Sequence, residues 1–370
     1  MATTVIRYVD TASAGGDGTT TALSGAQAAY AGIRAGLTTE FAATPDLTSS
    51  DIVLKFICAG GQDNSTSSTY TVPTFVCDAT RYLWITVDSG SIHSGKYDTG
   101  KYRITCSGGT ATQIFTTACT HIVCEDLQIV HLGSTVIAGV GLWHFSASNY
   151  RAKFYRCVFH TSHTGTPTSG SSFLQASVYD QTSTWHVVNC VFTGRADHAI
   201  FLYRRLAGNN GHWCIYNNTM VGQQNGFYGP AENGGSASCI RLYNNIVERY
   251  SGSAATAYYV AFEISVSDCN ISDDTSSPNN TFDSLTCSFV DKAGFDLHLD
   301  AADTAAAGMG TNLSADSTYP FSVDIDGNTR TRWSIGADDG PASGALFAPN
   351  DEGLMLLGPQ SASVLSVWGS

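Results

Sequence analysis

The sequence predicts an all-β chain wound as a parallel solenoid, and three observations predict it: a composition poor in helix formers, short apolar runs parted by turn residues, and the recurrence of one six-residue pattern. Charged residues are only 13% of the 370, about half the usual share of roughly 25%. Gly, Ser, Thr and Asn take their place and Lys is nearly absent, so a helix-rich fold is close to excluded. Hydrophobic residues reach 43%, enough for a large core and an argument against general disorder.

Taken in order, Val5 to Val9 read as a strand and Gly15–Gly16–Asp17–Gly18 as a turn. Ser24 to Leu37 is the one helical stretch, with Ala26, Tyr30, Ile33 and Leu37 at helical spacing and Ser24 as its N-cap. Apolar runs then alternate with turn residues: Ile52–Cys58, Tyr82–Val87, Tyr102–Cys106, His121–Val130, Lys153–Phe159, Trp185–Phe192, Trp213–Met220 and Ile240–Val247. Each reads as a strand.

These runs repeat. Phe154-Tyr-Arg-Cys-Val-Phe159, Val187-Val-Asn-Cys-Val-Phe192, Ile215-Tyr-Asn-Asn-Thr-Met220 and Leu242-Tyr-Asn-Asn-Ile-Val247 align, with weaker members at Cys124–Ile129 and Val266–Ile271. The spacing lies in the range of repeat architectures and leaves no room for a helix per repeat. A parallel β-helix remains, one coil per repeat, with coils stacked at about 4.8 Å. A β-sandwich with coincidental spacing is the competing reading. Stacking brings like residues together, so Asn189, Asn217, Asn218, Asn244, Asn245 and Asn270 form a ladder at an inward turn. Asn suits it because it tolerates left-handed backbone and its amide bonds its own turn and the next coil. Cys157 and Cys190 share the slot of Asn218 and Asn245 and are expected to be reduced.

Tyr8-Val-Asp-Thr-Ala12 followed by Gly15-Gly-Asp-Gly-Thr19, and later Ser288–Leu299, Asp324–Arg330 and Trp333–Asp339, resemble the opening and the ending of right-handed parallel β-helix (pectate-lyase-like) proteins. The resemblance covers roughly residues 5 to 340 and implies a single-stranded right-handed parallel β-helix with a helical cap. A narrower likeness, through the Ala/Thr/Gly-rich opening, is to uncharacterised β-helix proteins of tailed phages. The expected organisation is a strand and helix cap at 1–50, the β-helix at 51–300, a C-terminal cap at 301–340 and an apolar Gly/Pro/Ser-punctuated tail at 341–370, either docking on a neighbour or capping its own solenoid.

With 18 basic and 31 acidic residues the net charge is −13. Arg204–Arg205 is the densest basic spot, which argues against nucleic acid as a partner. No apolar window reaches 18 residues, so no membrane partner is expected, and Met1 to Ser13 does not read as a classical secretory signal. Eleven cysteines include no CxxC pair, and Cys119 and Cys124 near His121 fit no closed zinc site. Neither metal nor cofactor is expected.

The β-helix class contains polysaccharide lyases and polygalacturonase-like hydrolases, but the latter's Asn-Thr-Asp, Asp-Asp, Gly-His-Gly and Arg-Ile-Lys motifs do not occur here as a set. Asp273–Asp274 and Asp338–Asp339 are bare pairs, whereas glycoside hydrolysis needs two carboxyl groups facing each other across the substrate. The fallback catalytic set is Asp197 and His198, followed by Arg204, with Glu248 and Glu263 on later coils. Asp324-Ile-Asp326-Gly327-Asn328 resembles half of a calcium loop, but Ile335 stands where the closing Glu is needed, so it reads as a plain turn. Aromatic side chains stack on sugar faces, and Trp143, His144, Trp185, Trp213 and Tyr228, with His160, His163 and His186, gather in the middle coils as a candidate glycan-binding groove.

The expected function is a non-catalytic structural protein of a tailed-phage virion, a head decoration or fibre or a tail-spike-like part that binds surface glycans. It would be made in the host cytoplasm and partner other virion proteins or itself as a homo-oligomer, with a trimer implied by the resemblance. The alternatives are a polysaccharide lyase or glycoside hydrolase acting as a depolymerase, and a secreted, extracellular bacterial adhesin.

Overall fold

A computed structural model describes residues 2–64, 70–106, 115–117, 120–132, 143–145, 151–167, 170–178, 183–204, 212–229, 239–260, 264, 266–278 and 282–341, with backbone only at 115–117, 143–145, 177–178, 203–204, 212 and 239. The apolar tail beyond Pro341, with Cys119, Arg205 and Glu263, lies outside the described residues.

The described residues wind into a right-handed parallel β-helix and include one helix. Three parallel sheets run its length. The first has nine strands, from Thr3–Asp10 to Val266–Asp268, and the second eight, from Gln62–Asp63 to Ile271–Ser272. The third has seven: Tyr70–Val72, Phe115–Thr117, Trp143–Phe145, Ser172–Val178, His198–Arg204, Asn225–Gly229 and Tyr258–Val260. Register is strict, so Trp185 stacks on Trp213 in the first sheet and Phe159 on Phe192 in the second.

The runs Ile52–Cys58, Tyr82–Val87 and Tyr102–Cys106 are single strands as expected, but each run from His121–Val130 to Ile240–Val247 is two strands rather than one. The run Trp185–Phe192 holds Thr184–Val188 of the first sheet and Val191–Thr193 of the second, divided by a corner at Asn189–Cys190. The first corner residue has left-handed backbone at Asp126, Arg156, Asn189, Asn217, Asn244 and Cys269, a conformation Asn and Asp bear better than most residues. Its successor points inward, and these inner residues form the ladder. Asn218 Nδ2 donates to Asn245 Oδ1 (2.9 Å) and Asn245 Nδ2 to Asn270 Oδ1 (2.8 Å), while Cys190 N donates to Asn218 Oδ1 (2.9 Å). The single ladder expected is therefore two. Asn218, Asn245 and Asn270 line the interior with Cys157 and Cys190, both free buried thiols, while Asn189, Asn217 and Asn244 face outward.

The helix occupies Ile33–Ala43, not Ser24–Leu37. Residues 26–30 are committed elsewhere: Asp17 N, Gly18 N and Thr20 N bond to Ala26, Ala28 and Gln27 carbonyls, and Tyr30 pairs with Tyr8. The N-cap, Gly32, has no side chain, and Asp63 of the first coil accepts the Ile33 N–H instead (2.8 Å). The helix buries Ile33, Leu37 and Glu40, the last held by Arg7 (2.6 Å) and Tyr30 (2.7 Å), and so closes the N-terminal end. No helix among the described residues is long and apolar enough to cross a membrane.

The C-terminal segment lies along the flank of the solenoid instead of capping its end. Residues 273–278 and 282–285 cover the last coil, where Phe282 bridges Ile271 and Ser276 accepts from Tyr258 N. From there a strap, residues 286–341, runs back over the outer faces of the first two sheets. Leu313, Phe321 and Trp333 cover Val188, Cys214 and Tyr216 of the first sheet. Leu297, Ile325 and Ala337 cover Val158, Val191 and Val221 of the second, which is buried on both faces. The outward Asn ladder is the strap's seat: Asn189, Asn217 and Asn244 donate to Val323, Ser334 and Thr311 carbonyls. Arg330, fully buried, donates to Asn189 Oδ1 (2.8 Å) and to the Gly336 and Ala337 carbonyls.

Candidate functional site

The strap covers the middle coils of the first two sheets, and among the described residues the third sheet has an outer face that opens towards one end. Alternation along its strands sends Ile200, Leu202, Phe227 and Tyr258 into the core. The intervening residues stack in register on the outside, Gln175 beside Phe201, Tyr228 and Tyr259. Tyr228 stacks on Tyr259 with centroids 4.7 Å apart and planes at 13°, and meets Phe201 edge-on at 5.4 Å. Exposure increases along the row: Gln175 is buried, Phe201 and Tyr228 are half-buried, and Tyr259 is 42% exposed. The result is an aromatic strip along the solenoid axis, polar at the phenol edges and flat on the faces that a sugar ring meets.

Asp197 and His198 sit at the start of this strip. Asp197 Oδ2 lies 3.3 Å from His198 Nε2 and accepts the Gly170 N–H (2.6 Å). The His198 ring stacks on Tyr228 at 4.3 Å and leans on Phe201 at 5.0 Å. Both are nearly enclosed, at 8% and 4% exposed. Burial raises the Asp197 carboxyl and pushes His198 down to about 4 against a hydrogen bond with Asn225. His198 is therefore neutral near pH 7 and fills the underside of the strip.

The remaining expected residues scatter. Arg204 ends the strand His198–Arg204, described by its backbone alone, and Glu263 lies outside the described residues. Glu248, 1% exposed, is a strap anchor: it accepts Cys287 N (2.6 Å) and pairs with Lys292. Trp185 and Trp213, at 0% and 1% exposed, fill the interior, which removes them from any ligand face. Trp143 and His144 pair in register with Leu174 and Gln175, again as backbone only. His160 is enclosed between Tyr97 (3.9 Å) and Phe295 (4.6 Å) of the covering segments. Of the aromatic candidates, Tyr228 is the described side chain on the open face. Phe201 and Tyr259 were missed, although Phe201 stands three residues after His198.

The bare acidic pairs are structural. Asp273 and Asp274 bind Arg249 at 2.8 and 3.2 Å. Asp338 accepts Leu299 N, and Asp339 accepts the Thr331, Arg332 and Ser334 N–H groups. Asp324 accepts the Asp326 and Asn328 N–H groups within the expected turn. Carboxylates of Asp324, Asp326 and Asp338 lie within 4.8 Å of one another, with His298 bonded to Asp326 (2.9 Å). A groove of about 560 Å³ opens beside them, and Val290, Leu299 and Pro341 share its lining; none of the expected catalytic or glycan-binding residues does.

No family model, curated protein or solved structure matches this chain.

Proposed function

We propose that this protein is a non-catalytic structural component of a tailed-phage particle that holds a surface glycan on the open face of its third sheet. The observation that carries this reading is the aromatic strip Phe201–Tyr228–Tyr259, stacked in register and rising from half-buried at Phe201 to exposed at Tyr259 among the described residues, on a sheet the strap does not contact there, while the strap covers coils of the other two. Ring faces repeating coil by coil offer an extended polymer a continuous surface, and each buried sugar contact adds apolar burial at roughly 25 cal/mol per Å². Enclosure of Asp197 and His198 supports the non-catalytic part. The particle assignment rests on the phage-like opening, and a homo-oligomer, trimeric by the same resemblance, is part of the proposal.

The test pairs binding with turnover. Purified protein is incubated with host cells and with extracted surface polysaccharide, and reducing ends and unsaturated uronates are followed. Saturable binding without product release is expected, lost in the Tyr228→Ala/Tyr259→Ala double variant, together with peptides of this chain in purified particles. Product release abolished by Asp197→Ala would overturn it in favour of a depolymerase.

A further inference from the structure

We propose that the glycan held by this face is anionic, and that Arg195 selects it by engaging a carboxylate or phosphate substituent. The inference rests on the glycan-binding reading above and adds the ligand's charge. Arg195 lies in the turn between the second and third sheets, three residues before His198. Gly194 sets that turn, with φ +90 and a position where a Cβ would meet the Thr161 carbonyl at 2.1 Å. The Arg195 guanidinium carbon lies 5.1 Å from the Tyr250 ring centroid, within cation–π range. Among the described residues it has neither a hydrogen bond nor an ion pair of its own. By contrast Arg7, Arg156, Arg241 and Arg249 are each spent on carboxylates.

Charge along the sheet points the same way. The chain carries 31 acidic residues, yet the seven strands of the third sheet contain no Asp or Glu, with Asp197 standing just before one of them. An unpaired guanidinium presents parallel N–H donors matched to the two oxygens of a carboxylate or phosphate, which a neutral sugar does not supply. The aromatic strip would hold the sugar rings and Arg195 would read the substituent.

The experiment measures affinity of the full chain for three polymers: alginate, which carries carboxylates, poly(glycerol phosphate), which carries phosphates, and neutral dextran. Either charged polymer is expected to bind at least about tenfold more tightly than dextran, and the tighter of the two identifies the substituent. Arg195→Gln should remove that preference while leaving dextran binding and the thermal midpoint unchanged, and Arg195→Lys should restore part of it. Tyr228→Ala should weaken all three alike. A charged-over-neutral ratio unchanged by Arg195→Gln would overturn the role of Arg195 and leave the glycan face standing. A wild-type chain that binds dextran as well as the charged polymers would overturn the anionic preference alone, and one that binds none of the three would overturn both readings.

Discussion

Asn245 shows how much one side chain carries in this fold. Its amide nitrogen donates to Ile215 O (2.7 Å) and Asn270 Oδ1 (2.8 Å), and its oxygen accepts from the backbone and side chain of Asn218 (3.1 and 2.9 Å). All of this is sealed from water, so Asn245→Ala strands several polar groups at once. A loss of about 3 kcal/mol in denaturant unfolding is expected, against under about 1 kcal/mol for an exposed asparagine such as Asn312. Cys157 and Cys190, in the same inner column, are enclosed, and burial drives the Cys157 thiol well above its ordinary range. Thiol titration after denaturation without reductant should find both free; a low count would contradict that. The Asn repeat was readable because identical residues recur at coil spacing. Which Asn of each pair faces inward was not, since a corner sends neighbouring residues to opposite sides and only the partner coil and strap decide which is buried.

At the level of elements, the first and second sheets were legible and the third was not. Runs such as Trp185–Phe192 hold strands of two sheets in one apolar stretch, and the left-handed corner between them is invisible in hydropathy alone. Third-sheet strands such as Ser172–Val178 and Asn225–Gly229 are rich in Ser, Gln, Asn and Gly, so neither alternation nor β-branching marks them. The face that now carries the candidate site therefore lay in segments read as loops. The strap was recognised as C-terminal structure but placed at the end, because its anchors are hydrogen bonds to Asn189, Asn217 and Asn244, over 100 residues away in most cases. Its cover is apolar and its ties are polar. Trp333→Ala should lower stability by about 3–4 kcal/mol by opening a cavity over Tyr216. Gly336→Ala should also destabilise, because φ is +96 and a Cβ would lie 2.6 Å from Ile246. Proteolysis within 286–341 reports both, and cleavage no faster than wild type would contradict this account of the strap.

For the whole molecule, histidines set opposing limbs of the stability profile. Burial pulls His298 down, but hydrogen bonds to Asp326 and Asp296 outweigh it and raise the imidazole to about 9. Its contribution is complete below the unfolded value near 6.5 and is lost as pH climbs towards 9. Burial holds His160 and His198 near 4, so the unfolded chain takes up their protons first and stability falls as pH drops from about 6.5 to 4. Each limb changes by up to roughly 1.4 kcal/mol per pH unit per group. Urea midpoints should peak near neutrality, with His298→Gln flattening the alkaline limb and His160→Gln the acid one. The central claim concerns the open face, and hydrogen–deuterium exchange with and without the host polysaccharide tests it most directly. Protection confined to residues 198–204, 225–229 and 258–260 is the predicted result. Protection confined to the strap, residues 286–341, with none on the third sheet, would contradict it.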